Sequence, residues 1–95
     1  MSAKTIPVAK FRLGRLLTSA NAMSRLTNDE ILMGIQRHQA GDWGNVEPED
    51  FAANERALLN GARIWSVYHA ANGLKFWIIT EADRASTTIL LPEDY

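Results

Sequence analysis

The chain has no cysteine, and among its 95 residues are only two histidines and three prolines. The missing cysteine excludes a disulfide scaffold and any zinc site built on thiolates. The histidines stand in no spacing with carboxylates that resembles a metal site, and no residue pattern asks for a cofactor. No run approaches the roughly 18 apolar residues of a membrane span. Met1–Phe11 carries Lys4, Pro7 and Lys10 and lacks the apolar core of a secretory signal. A net charge of −1 gives no global attraction to nucleic acid.

What is present is ordinary for one globular domain: 46% hydrophobic and 22% charged residues. The charge is unevenly spread. Residues 1–37 hold six basic side chains (Lys4, Lys10, Arg12, Arg15, Arg25, Arg37) against two acids, and residues 38–95 hold four basic against nine acidic. Such asymmetry can mark an arm for a polyanion. The plainer reading, which we prefer, is attraction between the two halves within the fold or an oligomer, because the basic residues are dispersed among Leu, Ile and Ala.

Residues 1–9 read as a loose terminus and 10–95 as one domain. Lys10–Leu17 is weakly strand-like. Thr18 or Ser19 can cap a short helix over Ala20–Leu26. A clearer helix begins at Thr27 or Asn28, with Glu30 placed for a capping box. Ile31, Leu32 and Ile35, with His38 or Gln39 as a further position, recur at helical spacing, and Gly41 is a natural stop. Trp43, in the turn Asp42–Asn45, is expected to tuck onto the core. Another helix starts near Pro48 and ends at Asn60-Gly61, with Phe51, Ala52, Glu55, Leu58 and Leu59 as its expected buried face.

From Arg63 onward the period changes to two, giving strands over Arg63–Ala70, Leu74–Glu81 and Ser86–Leu91. Asn72-Gly73 predicts a two-residue type I′ hairpin. That register sets His69 opposite Phe76, Val67 opposite Ile78 and Tyr68 opposite Trp77. A four-residue loop over 82–85 sets Ile78 opposite Ile89. The expectation is an α+β domain: two or three helices packed on one face of a three-stranded antiparallel meander. The covered face is Trp65, Val67, Phe76, Ile78, Ile89 and Leu91. If there is a fourth strand, residues 10–17 supply it.

No catalytic residue is assigned. His38 reads as a solvated residue on a charged helix face. His69 lacks a carboxylate to orient it as a base. The densest polar group is the loop with Glu81, Asp83, Arg84, Ser86 and Thr88. Its carboxylates can bind a cation, or one can act as a base, and Arg84 can clamp a phosphate or carboxylate. The plainer reading is a self-bonded loop with Arg84 paired to Glu81 or Asp83. The second candidate is the aromatic pair Tyr68 and Trp77 with Lys75 nearby, a stacking surface for bases or a covered cross-strand pair. Exposed Tyr68 and Trp77 would also favour self-association.

Gly41-Asp42-Trp43-Gly44, Asn54-Glu55-Arg56-Ala57-Leu58, Trp77–Arg84 and Thr87–Tyr95 together resemble a family of short bacterial proteins carried on plasmids, integrated elements and phages, often labelled "plasmid-related". The resemblance covers residues 41–95. It implies a mobile-element setting and a cytoplasmic location, and no catalytic residues. The order helix, helix, meander is also similar, at the level of fold alone, to small ribonuclease toxins of the barnase and RelE type. These readings give three expectations. The first is a non-catalytic interaction protein of a mobile element, binding another protein or itself and modulating a host defence or modification system. The second is a metal-independent ribonuclease. The third is nucleic-acid binding through Lys10, Arg12, Arg15 and Arg25. No membrane partner is expected.

Overall fold

The computed structural model describes residues 8–95. The expected loose terminus therefore lies mostly outside the described residues. The elements run β1 (Arg15–Thr18), α1 (Ala20–Arg25), α2 (Asn28–Gln39), α3 (Pro48–Asn60), β2 (Ile64–His69), β3 (Lys75–Thr80) and β4 (Ser86–Leu90), then a single 3₁₀ turn at Pro92–Asp94. The class is α+β as expected, with four strands rather than three, in the order β1-β4-β3-β2. β1 lies parallel to β4, so the sheet is mixed and not a pure meander. No helix among the described residues is long and apolar enough to cross a membrane.

Local chemistry sets the helix ends. The Ser19 hydroxyl accepts from the Ala22 N–H at 3.1 Å and starts α1. Thr27 and Glu30 exchange hydrogen bonds in a capping box at α2, at 2.9 and 3.1 Å. Pro48 sits in the first turn of α3, and Gly61 closes it in the left-handed conformation at φ 76°. Trp43 is buried, as its turn position predicted.

The two hairpins divide the register prediction. Ile78 pairs with Ile89 and Trp77 with Leu90, so the β3–β4 register is the expected one. The β2–β3 register is displaced by one residue: Tyr68 lies opposite Phe76, Val67 opposite Trp77 and His69 opposite Lys75. The cause is the turn. Ala70 donates to the Leu74 carbonyl at 2.8 Å, and Gly73 donates back to Ala70 at 2.9 Å. Three residues, Ala71-Asn72-Gly73, thus bridge the strands, and of these only Gly73 has positive φ. This is a type I turn closed by a left-handed glycine, not a type I′ pair. Glu30 of α2 accepts the Ala71 N–H at 3.0 Å and ties the turn to the helix layer.

A one-residue slip inverts a strand. Ser66, Tyr68 and Ala70 therefore face α1 and α2 together with Phe76, Ile78, Ile89 and Leu91, while Ile64 on the same face packs with Trp43 and Ala57 of α3. Trp65 and Val67, expected beneath the helices, are on the other face. Ala22 and Leu26 of the α1 segment and Ile31 and Ile35 of α2 complete this core.

The α3 segment does not bury the face its apolar residues suggested. Phe51 is half exposed and Leu59 is 92% exposed, whereas Asn54 and Ala57 are buried. The helix flanks the outer edge of β2, and Asn54 takes the place of a neighbouring strand. Its Nδ2 donates to the Trp65 carbonyl at 2.7 Å, and its Oδ1 accepts the Trp65 N–H at 3.0 Å. Two residues on, Val67 donates to Trp43 O and accepts from Asn45 N–H at 3.0 and 2.8 Å. A β-carbon on Gly44 would lie 2.0 Å from the Val67 carbonyl, so only glycine permits this approach. The edge of β2 is thus covered at Trp65 and Val67, as sheet edges require.

Candidate functional site

The sheet face turned away from α1 and α2 holds an aromatic group. The rings of Trp65 and Trp77, neighbours across β2 and β3, meet edge to face with centroids 4.6 Å apart. After the 3₁₀ turn the chain brings Tyr95 over both, 5.4 Å from Trp65 and 5.7 Å from Trp77. Asp94 anchors that turn, accepting from Ser19 Oγ at 2.6 Å and Asn21 Nδ2 at 2.7 Å. These bonds, Ser19's first, hold its carboxyl below the ordinary carboxylate range. Arg63 lies over the Trp65 and Tyr95 rings, donates to the Tyr95 hydroxyl at 2.6 Å and pairs with Glu81 at 3.4 Å.

Toward the hairpin tip the same two tryptophans wall a cleft of about 240 Å³. Glu47 and Asp50, at the start of α3, line one side, with Asn45, Val67 and Lys75 around the rest.

Of the polar and aromatic residues singled out in the sequence, Lys75, Trp77, Ser86 and Thr88 share this face. Glu81 stands beside it, tied to Arg63. Asp83 is exposed in the loop and accepts the Ala85 N–H at 2.9 Å. Tyr68 is not with them. It is buried on the opposite face and donates to the Asp42 carbonyl at 2.6 Å. Burial pushes its phenol pKa up. A Tyr68–Trp77 stacking pair therefore does not exist, because the register slip separates the two rings by the thickness of the sheet. With Tyr68 buried, the two rings form no exposed pair for self-association.

Arg84 is also turned to a different task. Its guanidinium donates to three main-chain carbonyls, Ala62 at 2.6 Å, Ala57 at 2.9 Å and Glu81 at 3.1 Å. It closes the C-terminal end of α3 onto the β3–β4 loop and pairs with neither Glu81 nor Asp83 side chains. Its backbone is left-handed, φ 59°.

The histidine read as solvated is fully buried. His38 lies 2.6 Å from Ser66 Oγ through Nδ1 and 2.9 Å from Thr80 Oγ1 through Nε2. Thr80 continues to Thr87 at 2.7 Å, and Thr87 donates to the Leu13 carbonyl at 2.7 Å. A carbonyl only accepts, so the proton order follows from that end. Thr87 gives its proton to Leu13, Thr80 gives its own to Thr87, Nε2–H gives to Thr80, and Nδ1 accepts from Ser66. Burial holds the imidazole pKa down to about 3, and the Arg84 charge adds to the effect. A serine hydroxyl on a neutral imidazole is a nucleophile–base geometry. Here it is sealed under Phe11 and Trp43, whose ring centroids stand 5.1 and 5.9 Å from the imidazole. The signal for this chain was present in Ser66, Thr80 and Thr87, polar residues that share one face only in the three-residue-turn register. The other histidine, His69, is exposed, with Nδ1 3.1 Å from Asn45 Nδ2.

Two of the three ion pairs among the described residues join the basic and acidic parts of the chain, Arg37–Asp42 at 2.7 Å and Arg25–Glu93 at 3.5 Å. Lys10, Arg12 and Arg15 take part in none of them and are exposed. No three histidine or acidic side chains among the described residues gather as a metal-binding group.

Against family models, curated proteins and solved structures, the chain has no significant match.

Proposed function

We propose that this chain is a non-catalytic binding protein that recognises another protein through the Trp65–Trp77–Tyr95 face of its sheet. The observation that carries the reading is the contrast between two polar groupings. The one serine–histidine contact among the described residues is locked in the core with every proton committed. The half-buried tryptophans, by contrast, lie on the face that α1 and α2 leave uncovered. Tryptophan, tyrosine and arginine are the residue types that dominate binding energy at protein interfaces. The mobile-element setting implied by the family resemblance makes a host defence or modification protein the partner of choice.

A ribonuclease built on this layer order would need a base, an acid and several cations on the same face. What the face offers is Lys75 beside carboxylates and Arg15 on the far strand β1, with Arg63 and Glu81 already paired to each other.

The test is site-specific photo-crosslinking in a bacterial host. A crosslinking amino acid at Lys75 should yield one discrete adduct, and the same group at exposed Gln36 on α2 should not. Adducts equal at both positions, or at Gln36 alone, would overturn the assignment of this face.

A further inference from the structure

Two arginines of this chain are held in one recurrent way. Arg37 lies 4.5 Å over the Tyr68 ring and is gripped by the Asp42 carboxylate at 2.7 and 3.2 Å. Arg63 lies over Trp65 and Tyr95 and meets Glu81. In each, a ring takes the face of the guanidinium and a carboxylate takes its edge. This suits a cation that is planar, weakly hydrated and forked.

The cleft at the other end of the tryptophan pair has the same parts. Trp65 and Trp77 supply aromatic wall, and Glu47 and Asp50 supply carboxylates that join no ion pair among the described residues. We infer that this cleft receives an arginine side chain from the protein partner, an inference that rests on the face proposed above. Three physical points select that occupant. Two carboxylates against one ammonium, Lys75, leave the lining negative, which attracts a cation and repels a phosphate. Nucleic acid is therefore the wrong class of ligand for this cleft. The volume, about 240 Å³, is below the roughly 300–1,000 Å³ of small-molecule sites and suits one inserted side chain. A guanidinium can stack on an indole and still address a carboxylate, which a compact ammonium does less well. Lys75 works against the guest, so its removal should tighten binding.

The experiment uses the full chain labelled with ¹⁵N and follows the three indole N–H signals. The probe is acetyl-Gly-Arg-Gly-amide, and the control is the same peptide with uncharged, isosteric citrulline. Expected is a saturable shift of Trp65 and Trp77, with buried Trp43 unmoved, and about tenfold weaker binding of the citrulline peptide. E47Q/D50N should weaken the arginine peptide about fivefold or more, and Lys75→Met should strengthen it. The amide spectrum of each variant confirms its fold. Equal response to both peptides, or indifference to E47Q/D50N, overturns the inference. So do indole shifts that depend on protein concentration without peptide, which would seat a second copy of the chain there. If the arginine peptide fails while crosslinking from Lys75 still yields its adduct, the arginine inference falls and the face remains. If both fail, both readings fall.

Discussion

Ser66 Oγ stands 2.6 Å from His38 Nδ1, and the hydroxyl chain on the other side of the ring fixes a proton on Nε2. Burial disfavours a second proton, so the folded protein holds the imidazole neutral, with Nδ1 as an acceptor. In the unfolded chain the same group titrates near the ordinary value of about 6.5. With the folded pKa held down to about 3, the unfolded state binds the proton first as pH falls. His38 thus costs nothing above the unfolded value, and its destabilisation accumulates as pH drops from there toward the folded one. The slope is at most about 1.4 kcal/mol per pH unit. Urea midpoints at neutral and mildly acid pH should show this loss. His38→Gln should be less stable at neutral pH and should lack that part of the slope. An equal pH dependence in the two proteins would refute the assignment.

Asn54 replaces a strand with one side chain, and its loss should be felt twice. Asn54→Ala leaves the Trp65 N–H and carbonyl without their partners at the β2 edge, at a cost of about 2–3 kcal/mol. It also opens a sheet edge, which favours edge-to-edge association. Chemical denaturation reads the first effect, and sedimentation at rising concentration reads the second. Asn54→Asp keeps the acceptor but sets a buried carboxylate oxygen against the Trp65 carbonyl, so at neutral pH it should be at least as unstable as the alanine variant.

Arg84 combines an unfavourable backbone with a favourable side chain. Its left-handed φ costs a non-glycine residue about 1–2 kcal/mol, while the guanidinium joins three carbonyls, from α3, the loop after it and the loop after β3. Arg84→Ala loses the donors and keeps the strain. Arg84→Gly loses the donors and relieves the strain, so it should be the more stable of the two by about 1 kcal/mol. Arg84→Lys keeps charge without the fork and should still destabilise by about 1–2 kcal/mol. If lysine matches arginine, the three carbonyl bonds contribute nothing that charge alone does not.

Most of the helix layer was legible because its signals are local. Thr27 with Glu30, Pro48 and Gly61 act through neighbouring backbone, and each boundary they predicted stands within about two residues. The β3–β4 register was legible because both apolar and polar positions agreed on it. What local pattern did not reveal was long-range. Asn54 is polar by composition and became the inner face of α3 by bonding to an edge 11 residues away. His38 lies in a charged stretch and is buried because Ser66 and Thr80 meet it from two strands. The parallel pairing of β1 with β4 joins residues from the two ends of the described chain. The aromatic face was half legible: Trp77 and Lys75 stand out in the sequence, Trp65 joins them only in the displaced hairpin register, and Tyr95 joins them only through the 3₁₀ turn that folds the chain back.

That displacement makes its own prediction. In a two-residue type I′ turn both Asn72 and Gly73 would need positive φ, and replacing either with alanine would cost similar amounts. In the three-residue turn found here only Gly73 is left-handed, at φ 85°. Asn72 contributes through its side chain, which accepts the Leu74 N–H at 3.0 Å at an exposed site. Asn72→Ala should therefore cost about 0.5–1 kcal/mol, the value of one exposed hydrogen bond. Gly73→Ala should cost about 1–2 kcal/mol, the left-handed penalty for a residue with a β-carbon. Thermal or urea unfolding of the two variants measures the difference. A cost at Asn72 equal to or above that at Gly73 would restore the two-residue turn, return Trp65 to the helix side and dissolve the aromatic face on which the binding proposal stands.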